Sequence, residues 1–249
     1  MRLPVPTALL PASAWLAVAS PALALQPLSS GWMDADYSTR ETRALTHAYA
    51  RCVVKRQPAK ASQAIAGNVS TGAILRDYPM LIRPECLTRE TRQQTRMRFG
   101  GDLYRYALAD ALVNRELAAQ PAPDLETVPR LDHHDAGERP QPVDSKGRKM
   151  SKRKLDAALE SYKRDVAFAF LSRYGECVVR VDSAGAKALL MTAPDSSEEA
   201  AGFAALRPAL ARCLPEGETL RSGKAALRGS VAINYYRLAY AARTPGAVR

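Results

Sequence analysis

Apolar positions along the chain recur at three- and four-residue steps in several separate stretches, and that period predicts helices. Ala167, Phe170, Leu171, Tyr174, Cys177, Val178 and Val181 fall on one helical face. Leu45, Ala48, Tyr49, Cys52 and Val53 form a similar face earlier, behind a capping-box pattern at Ser38-Thr-Arg-Glu41. Pro58 should stop that first helix. Asp182-Ser183 should stop its later counterpart and cap a short helix from Ala186 to Met191. A third segment starts at Ser196 or Ser197 and presents Phe203, Leu206, Leu210, Cys213 and Leu214. Pro208 inside it, and Pro79 in its earlier counterpart, predict a kink or break in both. Ser222 is then expected to cap a last helix through Leu227, Val231, Tyr235 and Leu238. Only "CVVRV" tempts a strand assignment, and its neighbours keep helical spacing. The pattern predicts an all-α fold.

The same elements occur twice. "YARCVVK" at 49–55 returns as "YGECVVR" at 174–180, "YPMLIRPECL" at 78–87 resembles "RPALARCL" at 207–214, and "YRYALADALV" at 104–113 aligns with "LRGSVAINYY" at 227–236. The last alignment sets Arg105 opposite Arg228 and Ala109 opposite Ala232. The shared order of the three blocks reads as two tandem helical modules, 25–119 and 151–243, followed by a short tail, 244–249. Between them, residues 120–150 carry five prolines and no apolar periodicity, which describes an extended, flexible linker.

Composition then narrows the compartment. Arg2 is the only charged residue before Asp34, and the apolar run ends in Ala22-Leu23-Ala24, so residues 1–24 read as a secretory signal peptide cut after Ala24. No later stretch is apolar enough to span a membrane. Four cysteines in an exported chain read as two disulfides. Of the three possible connectivities, only Cys52–Cys86 with Cys177–Cys213 respects the repeat. Each such closure contributes roughly 3–4 kcal/mol in the chain-entropy model. The chain's +11 formal charge comes from the two modules, because 118–150 holds slightly more acids than bases. Such a balance attracts anionic partners without defining a site.

Candidate chemistry is sparse. No G-x-S-x-G, H-E-x-x-H or phosphate-loop motif occurs, and the pattern names no catalytic residue, cofactor or metal. His47 reads as a surface or packed histidine. His133 and His134, in "LDHHDAG", resemble metal ligands, but they fall in the linker and read better as solvated. Glu198-Glu199 suits a helix N-terminus. Asn68-Val-Ser fits a glycosylation acceptor only in a eukaryotic secretory host. The candidate anion-binding residues are Lys146, Arg148, Lys149, Lys152, Arg153 and Lys154 in the densest basic run, with Arg180, Arg228 and Arg237.

The second copy, "GECVVRVDSAGAKALLMTAPDSSEEAAGFAALRPALARCLPEGETLRSGKAALRGSVA", resembles a family of exported alphaproteobacterial, sphingomonad-type proteins. Their pattern runs G-E-C-V-V-R, an Ala-Leu-Leu helix, P-x-S-x-E, Pro-Ala-Leu, C-L-P and L-R-G. The resemblance implies host and compartment and transfers no catalytic residue. The expectation is a periplasmic or secreted, non-catalytic protein whose partner is an envelope protein. The alternatives are a binder of an anionic polymer (acidic polysaccharide, lipopolysaccharide or nucleic acid) and a hydrolase of envelope glycans. A hydrolase would need carboxylates facing each other across a cleft.

Overall fold

Pro58 has no N–H to continue a helical hydrogen-bond ladder, and the first helix ends just ahead of it. The computed structural model describes residues 40–87, 102–125, 127–144, 146–220 and 222–244. In it, α1 spans Arg40–Arg56 and α2 spans Pro58–Ala66. The capping box at Ser38 and the signal-like residues 1–24 lie outside the described residues. Ser70 caps α3, Thr71–Asp77, by accepting from the Ala73 N–H at 3.3 Å. Two 3-10 turns follow, Pro79–Leu81 and Pro84–Cys86, each opened by a proline, and then α4, Leu103–Glu116.

The second half opens with the helix that carries the other heptapeptide and ends with the last helix of the fold. Ser151 caps α5, Lys152–Val181, and Asp182 caps α6, Ser183–Leu190, by accepting from the Gly185 N–H at 2.7 Å. Ser196 caps α7, Ser197–Ala205; Pro208 starts a new helix, α8, Arg207–Cys213, so the expected break is present. The last helix, α9, spans Lys224–Arg243. Its cap is not Ser222: Gly223 occupies the N-cap with no side-chain bond, and the Ser222 hydroxyl turns to the Gly223 carbonyl instead. Ser222 lies one residue too early to reach the first-turn amides. No strand occurs among the described residues, which hold one isolated antiparallel bridge, Val143 to Lys149. The fold is all-α.

The repeated heptapeptides end α1 and α5, with Tyr49, Val53, Val54, Tyr174, Val178 and Val179 buried. Their cysteines meet the expected partners. Cys52 pairs with Cys86 and Cys177 with Cys213, at Cα separations of 5.6 and 5.8 Å. Each bridge pins the proline-bearing segment of its half to the end of that half's first helix. The innermost elements are α4 and α9, which are buried nearly all round and so show little amphipathicity. They pack on each other; α1 and α2 cover α4, and α5 and α6 cover α9. Gly229 allows the close approach of the central pair, because a Cβ there would lie 2.1 Å from the Tyr106 ring. One continuous apolar core therefore runs through both halves.

The segment read as a flexible linker is extended, but its first part is docked. Leu125, Val128 and Leu131 are buried in the shared core. Within this ribbon the Val128 N–H donates to the Leu125 carbonyl at 3.3 Å, and the three apolar side chains reach the core at a spacing that a search for helices and strands passes over. Arg180 holds the ribbon by donating to the carbonyls of Leu125, Val128 and Pro129 at 2.9, 2.9 and 2.6 Å. Lys187 holds its start through the carbonyls of Ala118 and Gln120. Residues 137–139 and 141–143 are exposed. Trypsin should accordingly cut first at Lys146, Arg148 or Lys149, while the Arg130–Leu131 bond stays intact in the folded protein. Timed proteolysis with mass mapping checks this order, and early cleavage after Arg130 would contradict the docked ribbon.

Candidate functional site

Three polar or concave features merit description, and the most buried joins the two halves. Arg228, on the first turns of α9, is 3% exposed. Its Nη2 donates to Asp110 of α4 at 2.9 Å, and its Nη1 to Glu199 of α7 at 3.2 Å. The remaining bonds go to the Leu189 and Leu190 carbonyls and to Thr192, at 2.9–3.1 Å. The guanidinium thus satisfies carbonyls that the end of α6 would otherwise leave unpaired. His47 Nδ1 lies 3.1 Å from Asp110 Oδ2, and Asn114 adds a bond to the Leu190 carbonyl. Acids and bases from several helices converge here, but the cluster is packed within the interior. Its chemistry is structural.

A second cluster anchors the ribbon to α5. Glu176 accepts from the Leu131 N–H at 3.1 Å and from Arg180 Nε at 2.8 Å. A carboxylate only accepts, so His133 donates through Nε2 to Glu176 at 2.6 Å, leaving Nδ1 to accept from the Ser172 hydroxyl at 2.7 Å. The His133 side chain is therefore buried, not solvated as a free linker would leave it. His134 turns away to the Asn68 carbonyl and Asp135 to Arg173, so the "HHD" run does not converge. No group of three or more potential ligands is placed to hold a metal among the described residues. Burial raises the Glu176 pKa, but the hydrogen bonds from His133, Arg180 and the Leu131 amide, with the Arg180 charge, outweigh it and leave the carboxyl lowered.

The concave feature lies on the other side of α5. It is a groove of about 760 Å³, within the size range of ligand sites. Phe170 and Tyr174 form its floor, with ring centroids 5.8 Å apart and planes 17° from parallel. Tyr174 is fixed by donating its hydroxyl to the Leu210 carbonyl at 2.8 Å. The Cys177–Cys213 bridge and Pro215 form one wall, and Val166 and Ala169 continue the lining along α5. The charged lining residues are Arg173 and Asp135, which pair with each other in exposed positions. A single carboxylate, already paired, does not make the facing pair that glycoside hydrolysis requires.

No residue from Lys152 to Val166 is buried, a stretch of roughly 22 Å at 1.5 Å per residue. Along it Leu155, Leu159, Tyr162 and Val166 recur at helical spacing, half-exposed and outside the apolar core. This stripe leads into the groove. Sequence reading missed both, because it credited only the apolar positions from Ala167 onward, although the same three- and four-residue steps reach back to Leu155.

The expected anion-binding residues separate into two groups. Lys146, Arg148, Lys149, Lys152, Arg153 and Lys154 are exposed, on the loop before α5 and on its first turn. Arg228 and Arg237 are buried, and Arg180, its side chain 23% exposed, is committed to the ribbon. Glu199 is in the Arg228 cluster, and Asn68 binds Arg105 and the Asp132 carbonyl. No helix among the described residues is long and apolar enough to cross a membrane. Comparison with protein-family models, with curated proteins and with solved structures finds no match.

Two expected outcomes follow from the clusters. Arg228→Met leaves Asp110 and Glu199 buried without their cation, and should cost about 3–5 kcal/mol in denaturant unfolding. A loss below ~1 kcal/mol would mean the cluster is not holding the halves together. The lowered Glu176 pKa stabilises the fold above the ordinary glutamate value of about 4.3, and this is lost as pH falls through the lowered value. The protection of the Leu131 amide, taken relative to its intrinsic exchange rate at each pH, should therefore fall in the wild type as the pH drops below the ordinary glutamate value. In Glu176→Gln it should be low already at neutral pH.

Proposed function

We propose that this is an exported, non-catalytic binding protein, periplasmic or secreted, which holds an apolar segment of an envelope partner along the first half of α5 and in the groove beneath it. The observation that carries the reading is the continuity of the α5 stripe with the groove: Leu155, Leu159, Tyr162 and Val166 lead onto Phe170 and Tyr174, with the Arg173–Asp135 pair also in the lining. Leu155, Leu159, Tyr162 and Val166 are only partly covered and stand outside the apolar core, which leaves them available to a partner. The two disulfides and the signal-like N-terminus support export. So does the resemblance to exported sphingomonad-type proteins, whose repeated module we take this chain to share.

The partner side should be amphipathic, with acids beside its apolar face, because Lys152, Arg153 and Lys154 stand exposed at the head of the stripe. The same cations, with Lys146, Arg148 and Lys149, support a second reading as a binder of acidic polymer. The two differ in salt response, since polymer binding through lysines and arginines falls steeply as salt rises. Apolar docking does not. A photo-crosslinking residue at Val166 or Tyr162, introduced in the native envelope, should give a discrete protein adduct that persists at high salt. Leu159→Glu should abolish it without changing thermal stability. No adduct, or an equal yield from a control position at Arg212, would overturn the proposal; retention on heparin lost at moderate salt, without an adduct, would favour the polymer.

A further inference from the structure

The α5 stripe has the spacing of a coiled-coil seam. Leu155, Leu159, Tyr162 and Val166 are separated by four, three and four residues, the alternation with which a seven-residue repeat turns its apolar positions to a second helix. These four side chains stand outside the apolar core, and none of them is buried.

The charges beside the seam select the second helix. Asp156 and Lys163 lie on the same flank of the stripe, seven residues apart and both exposed. A second α5 laid antiparallel sets Leu159 of each copy against Tyr162 of the other, and Leu155 against Val166. It also brings the charged flank onto its own counterpart, so that Asp156 of each copy meets Lys163 of the other, twice by symmetry. A parallel pair has no such match, because it sets Lys163 beside Ala158 and Asp156 beside Ser151. It also brings the two Lys152-Arg153-Lys154 heads together, where like charges repel. Antiparallel packing separates those heads by about 22 Å, at 1.5 Å per residue.

Four half-exposed side chains fall short of the ~800 Å² per partner in a standard interface. In the antiparallel register the contact continues at both ends. Met150, just ahead of α5, arrives over the groove floor formed by Phe170 and Tyr174 of the other copy. Val143 comes with it, being 48% exposed and tied to Lys149 by the isolated bridge. The acids required beside the partner's apolar face are then Asp156 and Asp165 of α5 itself.

We propose that the occupant of the stripe and groove is a second copy of this chain, in a two-fold antiparallel dimer through α5. This rests on the reading of α5 and its groove as an apolar docking surface, and it names the partner. The core lies within one chain, so breaking the dimer leaves the monomer folded.

Sedimentation equilibrium of the full chain at low ionic strength, from about 1 µM to 1 mM, should show a reversible monomer–dimer equilibrium. Leu159→Glu should stay monomeric with its circular dichroism unchanged. Asp156→Lys and Lys163→Asp should each raise the dissociation constant about tenfold, since each sets like charges against each other twice. Mixing these two variants should restore association, because each supplies the charge that the other lacks. A wild type that is monomeric throughout, a dimer indifferent to Leu159→Glu, or a mixture that fails to recover would overturn the dimer. In the envelope, the adduct from a crosslinking residue at Tyr162 should have twice the mass of the chain. An adduct of another mass together with a monomeric purified chain removes the dimer and leaves the docking surface standing; no adduct and no dimer removes both.

Discussion

The guanidinium of Arg228 is where the two halves of the chain become one structure. It is anchored on α9, caps the end of α6 through the Leu189 and Leu190 carbonyls, and takes its charge balance from Glu199 in its own half and Asp110 in the other. A buried arginine needs its charge balanced and its donors met, and here both Nη groups are engaged while Nε alone has no partner. That requirement sets the distance of α4 from α6 and the rotation of α9 about its axis. With α9 so turned, Gly229 faces the Tyr106 ring, and the central helices approach closely enough to bury almost their whole circumference.

The outer elements are held by different means. The disulfides tie the proline-bearing segments to the ends of α1 and α5, and the ribbon after α4 is held by side chains of α5 and α6 that bind its backbone carbonyls. Apart from the bond from the Val128 N–H to the Leu125 carbonyl at 3.3 Å, the buried carbonyls of this segment must find donors elsewhere. Arg180 and Lys187 are those donors. This assigns the basic end of the repeated heptapeptide a role in the second half that Lys55, exposed, does not have in the first.

Helix order, the break at Pro208 and the disulfide pairing were legible because each rests on local chemistry: a missing N–H, a capping hydroxyl, a recurring cysteine. The docked ribbon was not, since Leu125, Val128 and Leu131 make only three apolar positions among prolines and polar residues, at a period belonging to neither helix nor strand. His133 was misread for the same reason, as its burial follows from that docking. Arg228 and Arg237 looked like surface cations because composition counts charge without depth. The alignment of Arg228 with Arg105 was visible in the sequence, but its meaning depends on Asp110, which lies 118 residues away from Arg228. The groove was hidden because its walls come from α5, the end of α8 and the ribbon, which sequence reading had put in separate units.

Where the aligned halves depart from each other is as informative as where they agree. The first turns of α5 carry an apolar stripe outside the core, Leu155, Leu159, Tyr162 and Val166. Apolar side chains left partly covered outside a core are a cost to solubility unless a partner covers them. At the interior, Asp110 and His47 in one half stand against Ile233 and Ser172 in the other: Arg228 has a carboxylate at 2.9 Å, and Arg105 has Asp102 at 3.9 Å. The core rests on shared and divergent positions alike, whereas the α5 stripe stands outside it. Any binding function of this fold should therefore be sought on the second half, along α5.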